Sequence, residues 1–127
     1  MRCLDSDFLI DILAGKREAE HKMLEIENDR LATTAINAFE ILFGAKYSHN
    51  ERNIKESRRI LSGLDILTFD LEAAEEASRI HVQHMREGSR LPTRDLFIAS
   101  VAKVHDCVVV TRNVKHFRVS GLEVETW

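Results

Sequence analysis

The sequence is poor in the residues that make turns and crosslinks. Its 127 residues include one proline, five glycines and two cysteines. All-β and loop-rich architectures need more proline and glycine for their turns, so both classes are disfavoured. Cys3 and Cys107 each lie in an apolar run typical of a strand, and the chain has neither a CxxC motif nor Cys/His spacing typical of a zinc site. We expect two buried, reduced thiols and a cytoplasmic location, where disulfides are rare.

Long apolar runs are also missing. No stretch approaches the roughly 20 apolar residues that a transmembrane helix requires. The apolar segment 8–14 contains Asp11, and no signal-peptide cleavage pattern follows it. The net charge of −3, from 21 acidic and 18 basic residues, is not that of a protein that binds nucleic acid through its overall charge. The sequence therefore predicts no membrane segment, and any nucleic-acid site must depend on local bases and bound cations.

What the sequence does contain is an alternation of strand and helix patterns along its length. The apolar run 107–110 is typical of a central parallel strand covered on both faces, and helix 94–104 is apolar on nearly all sides. The patterns predict strands at 2–4, 31–34, 66–69, 107–110 and 122–127, and helices at 8–13, 17–28, 35–47, 50–63, 71–86 and 94–104. This order predicts an α/β fold, a three-layer sandwich with a mostly parallel central sheet. One domain over residues 1–127 is the natural expectation.

Polar side chains stand at the ends of several of these elements. Asp5 follows the first strand, Asp95 opens the buried helix, and Thr111 and Asn113 follow the central strand. In an open parallel sheet, sites form at the carboxyl ends of strands, near the switch in strand order. Each position also has a structural explanation, because Asp5 and Asn113 can cap a following helix and Asp95 suits a first helical turn.

Glu40 lies on a helical stripe with apolar neighbours. Ile36, Glu40, Phe43 and Tyr47 are spaced as one face of an α-helix. A carboxylate on such a face is costly to bury unless it is paired or binds a cation. The alternative is a rotated helix in which Glu40 reaches solvent or a buried arginine. By physical pattern alone, Glu40 has the strongest support among the candidate acids.

Asp5, Glu40 and Asp95 together form the predicted site. Carboxylates that converge without a matching cluster of bases repel one another and bind a hard divalent cation, and oxygen ligands suit Mg²⁺ or Mn²⁺. Such an ion activates water and stabilises the charge that develops during phosphodiester hydrolysis. Basic side chains that flank the site are candidates for holding phosphates: Arg94, Arg112 and Lys115.

Four segments resemble the motifs of PIN domains, in the same order. Residues 3–11 (CLDSDFLID) resemble the opening "LDTNVLID", and residues 34–45 resemble the second motif, in which an acid is followed by "LxG". Residues 95–100 (DLFIAS) are similar to "DxxIAA", and residues 110–117 with Gly121, Leu122 and Trp127 resemble the closing segment of VapC-type toxins. Each motif is weak alone, but four in order across the chain make the resemblance specific.

The resemblance implies an endoribonuclease of the VapC type that uses Mg²⁺ or Mn²⁺ and is the toxin of a toxin–antitoxin pair. It further implies a homodimer and a small antitoxin protein whose C-terminal segment blocks the acidic pocket. Asp5, Glu40 and Asp95 take the positions of the family's acidic residues. The fourth position is often Asp in the family and is Asn113 here, while Asp7 stands where asparagine is usual. Asn113 is thus a neutral member of the predicted catalytic set, and one or two metal ions stay open.

Two other functions stay open. Asp5 and Asp7 match the "DxD" pair of haloacid-dehalogenase-like phosphatases, although a clear downstream lysine and a late paired-acid motif are missing. A PIN-like domain that binds RNA or a partner without cutting is the non-enzymatic alternative. The neutral Asn113 favours this alternative, whereas the intact acidic triad disfavours it.

Overall fold

The structure is a computed structural model that describes residues 1–118 and 120–127. Its strands are β1 (Arg2–Leu4), β2 (Leu31–Thr34), β3 (Asp65–Leu67), β4 (Val108–Val110) and β5 (Val124–Glu125). Its helices are α1 (Ser6–Leu13), α2 (Arg17–Ile26), α3 (Ala35–Tyr47), α4 (Glu51–Ser62), α5 (Leu71–Arg86), α6 (Thr93–Val104) and α7 (Val114–Arg118). Strands and helices alternate along the chain, as the sequence predicts.

The five strands form a parallel sheet in the order β3-β2-β1-β4-β5. The central strand β1 pairs Cys3 with Ala32 of β2 on one side and with Val109 of β4 on the other. The strand order therefore reverses between β1 and β4, and in an open parallel sheet the carboxyl ends of the strands at such a switch point border the crevice where sites form. The predicted α/β class and parallel sheet are confirmed.

Helices cover both faces of the sheet, and alternate residues of β1 divide the core between them. Cys3 belongs to a cluster with Ile98 of α6 and Phe117 of α7. Leu4 belongs to a second cluster with Phe8 of α1, which also takes in residues of α2, α3 and α4. Because successive strand residues point to opposite faces, the two clusters lie on opposite sides of the sheet. The predicted three-layer sandwich is confirmed.

The predicted boundaries of the last three strands differ from the structure, and the third strand spans Asp65–Leu67 instead of 66–69. The fourth strand begins at Val108 instead of 107, because the backbone N–H of Cys107 still donates to the Ala102 carbonyl at the end of α6. The last strand spans only Val124–Glu125 instead of 122–127, because the N–H of Leu122 bonds back to the Phe117 carbonyl of α7. Hydrogen bonds to the preceding helices therefore shorten both strands.

Helix α3 is rotated relative to the prediction. Its buried residues are Asn37, Ile41 and Ala45, whereas Phe43 and Tyr47 are 58% and 78% exposed. The expectation that the Phe43 and Tyr47 stripe packs inward is wrong. The polar Asn37 is the reason, because it completes a capping box with Thr34 and also binds a buried carboxylate, so the Asn37 face turns towards the sheet.

The two cysteines are free and buried, as predicted. Burial raises the pKa of the Cys3 thiol well above its ordinary value and also raises the pKa of Cys107. Both thiols therefore pack as small apolar side chains. Within residues 1–118 and 120–127, every helix is too short or too polar to cross a lipid bilayer.

Candidate active site

Asp5 lies where β1 ends and α1 begins, at the centre of the crevice. It is 1% exposed, and its Oδ1 accepts the backbone N–H of Ser6 (2.8 Å) as the N-cap of α1. Asn37 Nδ2 also donates to Oδ1 (2.8 Å), and Thr111 Oγ1 donates to Oδ2 (2.6 Å). Arg94 Nη2 lies 3.1 Å from Oδ1. Asp5 is therefore both a helix cap and a firmly oriented, buried carboxylate.

Asp95 enters the crevice from the first turn of α6 and is 4% exposed. Its Oδ2 lies 2.5 Å from Nδ1 of His116 on α7, and its Oδ1 contacts Nη1 of Arg94. The two oxygens of Asp95 are thus engaged by different side chains. His116 fixes the carboxylate from the side of α7, so α6 and α7 are joined at the site.

Glu40 faces the same crevice from α3, with its side chain 30% exposed. Ser6 Oγ donates to Glu40 Oε1 (2.8 Å), and Arg94 Nε donates to Glu40 Oε2 (2.5 Å). Of the two alternatives for Glu40, the rotated helix with an arginine partner is the correct one. The costly burial argued from sequence is avoided, because this carboxylate is half-buried and paired.

Arg94 is the residue that these acids share. Its guanidinium contacts Asp5, Glu40 and Asp95, which are brought together from β1, α3 and α6. Burial lowers the pKa of Arg94, but the hydrogen bond to Glu40 and the three negative charges outweigh it and raise the pKa overall. One guanidinium against three carboxylates leaves the cluster with an excess of negative charge.

The carboxylates are turned onto this guanidinium and do not surround an open space. Consistent with that arrangement, the part of the chain that the structure describes contains no group of three His, Cys, Asp or Glu side chains arranged to hold a metal ion as it stands. The structure does bring together the predicted metal ligands Asp5, Glu40 and Asp95, because Arg94 contacts each of them.

Asp7 and Asn113 occupy the edge of the site. Asp7 is half-buried, and its two oxygens accept the backbone N–H groups of Phe8 and Arg112 (2.8 Å each). Burial and the charge of Asp5 raise the pKa of Asp7, against the lowering effect of those two hydrogen bonds. Asn113 is exposed, and its backbone N–H donates to Thr111 Oγ1 (3.0 Å). Asp7 thus ties the loop after β4 to α1.

Sequence reasoning missed the roles of two residues, Asn37 and His116. Asn37 precedes Glu40 by one helical turn and follows Thr34 by three residues, the spacing of a capping box. That spacing places Asn37 on the same side of α3 as Glu40. His116 lies inside a recognised motif, but only the packing of α7 against α6 brings it to Asp95. The capping-box spacing is a local signal for Asn37, whereas no local pattern in the sequence points to the contact of His116 with Asp95.

A groove of about 690 Å³ adjoins Glu40 between α1, α3 and α4. Its apolar walls include Ile10 and Leu13 of α1 and Ile41 of α3. Its polar walls come from the start of α4 and include Asn50, Arg52 and Glu56. Ile10 and Leu13 are 53% and 37% exposed. The groove therefore offers an apolar strip that leads to the acidic cluster.

Comparison with known proteins agrees with this geometry. The tRNA(fMet)-specific endonuclease VapC of Salmonella typhimurium is 29% identical over 126 residues, which cover 98% of this chain and 96% of that protein. The protein of the same name from Shigella flexneri is 27% identical over 126 residues, with the same coverage. The solved structure of DNA-bound VapBC from Salmonella typhimurium contains a chain with a TM-score of 0.88 and 28% identity. That match covers 99% of this chain and 97% of the other.

A second solved structure, VapBC-1 from nontypeable Haemophilus influenzae, matches with a TM-score of 0.84 and 25% identity, over 99% of this chain and 97% of that one. The family model described as PIN domain matches residues 2–122. That span includes strands β1 to β4 and every site residue described above. The chain belongs to the PIN domain family.

Proposed function

We propose that this protein is a Mg²⁺- or Mn²⁺-dependent endoribonuclease and the toxin of a VapBC-type toxin–antitoxin pair. The observation that carries the proposal is the convergence of Asp5, Glu40 and Asp95 on one guanidinium at the switch point of a parallel sheet. Relatives that are named VapC endonucleases and ribonucleases support RNA as the substrate class. The proposed reaction is hydrolysis of an RNA phosphodiester bond.

The donor set fits a hard divalent cation. Asp5, Glu40 and Asp95 offer carboxylate oxygens, and the cluster carries more negative charge than Arg94 compensates. These three residues would hold the ion. When bound, such an ion supplies an activated water and stabilises the charge that develops at the phosphate.

Neighbouring side chains hold these acids in place. Thr111 and Asn37 donate to different oxygens of Asp5, so this carboxylate cannot rotate freely. His116 performs the same task for Asp95. Residues that orient metal-binding side chains commonly affect affinity and activity by about 10–100-fold. We include Asn113 in the site as an exposed amide beside Thr111 that orients water or substrate.

The proposed partner is a small antitoxin whose C-terminal segment lies in the groove between α1, α3 and α4. That groove has the exposed apolar side chains Ile10 and Leu13, and Glu40 lies at one of its walls. A segment seated there would cover the acidic cluster. The solved structures of VapBC toxin–antitoxin pairs support a partner of this kind. A cytoplasmic location agrees with the two free, buried thiols.

The proposed homodimer would use the exposed aromatic row of α3. Phe39, Phe43 and Tyr47 are 66%, 58% and 78% exposed, and successive ring centroids are 6.0 and 5.9 Å apart. A contiguous apolar row at the surface is typical of an interface. Phe43→Glu should convert the dimer to a monomer in sedimentation or light-scattering measurements. A monomeric parent protein would contradict this assignment and leave the row free for other contacts.

Cleavage of structured RNA by the purified protein with Mg²⁺ tests the proposal. Asp5→Asn and Asp95→Asn should each lower the rate by about a hundredfold or more, because each removes a charged ligand from the site. Asp29→Asn is the matched control, since Asp29 is 48% exposed and pairs with Arg2 away from the crevice. Circular dichroism would verify that all variants fold. Undiminished cleavage by both site variants would overturn the assignment.

The non-cutting alternative keeps one supporting observation. Arg94 compensates part of the charge of the acidic cluster, and Asn113 adds none. RNA binding without cleavage at any Mg²⁺ or Mn²⁺ concentration would favour that alternative. The phosphatase alternative finds less support, because the sequence has no clear downstream lysine and no late paired-acid motif.

A further inference from the structure

The three acids of the site bind one cation that the chain itself provides. Arg94 uses a different nitrogen for each of them: Nε for Glu40 Oε2 (2.5 Å), Nη2 for Asp5 Oδ1 (3.1 Å) and Nη1 for Asp95 Oδ1. A guanidinium carries its donors in a fixed planar fork, and here each of its three nitrogens contacts a different carboxylate. The oxygens that Arg94 contacts belong to the carboxylates that the proposed function assigns to the metal.

We propose that Arg94 is an internal competitor of the divalent cation: its guanidinium holds the three carboxylates in the metal-free protein and leaves them when the cation binds. The inference rests on the proposed function, which makes Asp5, Glu40 and Asp95 the metal ligands. Two cations at the same oxygens repel each other, so binding of one displaces the other. Arg94 thereby sets the metal concentration at which the site fills.

The carboxylates are anchored in a way that lets Arg94 leave. Each acid has at least one further donor besides Arg94, and these donors come from β-strand ends and helices of the core. The partners that remain are Asn37 and Thr111 for Asp5, Ser6 for Glu40 and His116 for Asp95. The departure of the guanidinium therefore frees Glu40 Oε2 and Asp95 Oδ1, and it removes one of the three donors at Asp5 Oδ1, which keeps the Ser6 N–H and Asn37. Each carboxylate keeps a partner that orients it.

Arg94 itself has room to move. It lies in the first turn of α6, and its side chain is 33% exposed, whereas those of Asp5 and Asp95 are 1% and 5% exposed. Arginine has a long side chain with several rotatable bonds, so the guanidinium can turn towards solvent without a change in the helix. The exposed members of the cluster are therefore Arg94 and Glu40, whose side chains are 33% and 30% exposed, and the fixed members are the buried Asp5 and Asp95. Glu40 is still held by Ser6 when Arg94 turns away.

Chemical labelling of the unaltered protein tests this displacement directly. Phenylglyoxal modifies arginine side chains, and peptide mass spectrometry reports the rate at Arg94 and Arg112 separately. Adding Mn²⁺ should increase the rate at Arg94 several-fold. Arg112 is the internal control, because its guanidinium pairs with Asp11 and lies over the Trp127 ring. An Arg94 rate that stays constant or falls while Mn²⁺ saturates the protein would overturn the proposal.

Direct measurement of Mn²⁺ binding gives a second test that needs no cleavage activity. Arg94→Met should lower the Kd for Mn²⁺ by about tenfold or more, or about 1.4 kcal/mol, because the competing charge is gone. The Kd of Arg94→Lys should lie between those of the parent protein and Arg94→Met, because an ammonium keeps the charge but cannot bridge three carboxylates in the same way. Arg112→Met removes the same charge from the neighbouring loop and should change the Kd far less.

The outcomes separate this inference from the proposed function. Binding of Mn²⁺ that Asp5→Asn weakens, with no tightening in Arg94→Met, would overturn only the role of Arg94. The absence of Mn²⁺ binding in the parent protein and in Arg94→Met would overturn both. Thermal unfolding would verify that each variant folds, and the labelling test needs no variant.

Discussion

Two arginines of this protein each contact more than one carboxylate, and the two clusters differ in the burial of their acids and in their balance of charge. Arg94 contacts Asp5, Glu40 and Asp95 in the crevice. Arg2 contacts Asp29 and Glu125 at the surface, beside β5. Asp5 and Asp95 have side chains 1% and 5% exposed, whereas those of Asp29 and Glu125 are 48% and 25% exposed.

The charge balance of the two clusters also differs. Lys22 joins the Arg2 cluster at 2.9 Å from Glu125 and also lies 3.4 Å from Glu25, so an arginine and a lysine face three acids. The Arg94 cluster has one arginine for three acids, with the His116 imidazole beside Asp95. A surface cluster in which each acid has its own arginine or lysine partner is an ordinary way to join elements of a fold. Two buried carboxylates, Asp5 and Asp95, that share one guanidinium with a third acid are costly to maintain, and such clusters are enriched at functional sites.

The sharpest test of this contrast places the same substitution in both clusters. Glu40→Gln should lower RNA cleavage by about 10–100-fold, because it removes a negative charge from the proposed metal ligands. Glu125→Gln should leave the cleavage rate within about twofold, since Glu125 lies outside the site and such surface pairs are weak. Rates measured on the same RNA at saturating Mg²⁺ would decide. Equal losses of cleavage rate in Glu40→Gln and Glu125→Gln would contradict a functional difference between the two clusters.

Removing the arginine of each cluster should affect stability unequally. Without divalent ions, Arg94→Met should lower the free energy of unfolding by about 2–3 kcal/mol, because three carboxylates lose their shared counter-charge. Arg2→Met should cost less than about 1 kcal/mol. Urea unfolding of both variants gives the two values. Addition of Mn²⁺ should restore much of the loss in Arg94→Met, whereas Arg2→Met should respond to Mn²⁺ like the parent protein.

The surface cluster should show a small acid dependence. The hydrogen bond from Arg2, with help from Lys22, lowers the pKa of Glu125 below its ordinary value of 4.5. A carboxyl with a lowered pKa in the folded state contributes stability above its unfolded pKa and loses it as the pH falls through the folded value. The difference in unfolding free energy between the parent and Glu125→Gln should therefore be constant at neutral pH and shrink below pH 4.5. We expect this difference in unfolding free energy to change by less than about 1 kcal/mol over the whole pH range.

Salt should produce the smallest difference between the clusters. Exposed ion pairs are screened at distances beyond about 8 Å at physiological ionic strength, whereas buried pairs are screened much less. Raising the salt concentration should thus reduce the stability cost of Arg2→Met by a few tenths of a kcal/mol, a fraction of a typical surface pair. The cost of Arg94→Met should change by a smaller fraction of its value. The reverse order in urea unfolding would contradict the burial contrast.

The sequence predicted the positions of the acids better than their surroundings. Asp5 and Asp95 could be placed because each stands at the end of an element, and the ends of parallel strands meet at one edge. The sequence pattern predicts Glu40 at the site for a partly wrong reason, since the aromatic stripe that it shares with Phe43 and Tyr47 faces outward. Apolar spacing cannot distinguish a buried face from an exposed apolar face.

The contacts that organise the site depend on the tertiary fold. Arg94 is 54 residues from Glu40 and 89 from Asp5 along the chain. Their meeting depends on the strand order and on how α3 and α6 pack, which local patterns do not encode. Arg94 was therefore recognised only as a base near the site. Its contact with all three acids became visible in the structure.

The most direct test of the central claim is the metal dependence of RNA cleavage by the unaltered protein. With Mg²⁺ or Mn²⁺, the protein should cleave structured RNA at internal phosphodiester bonds. A chelator should abolish cleavage, and excess Mg²⁺ should restore it. Cleavage that continues at full rate in the chelator, or that never occurs at any Mg²⁺ or Mn²⁺ concentration, would contradict a metal-dependent ribonuclease built on Asp5, Glu40 and Asp95.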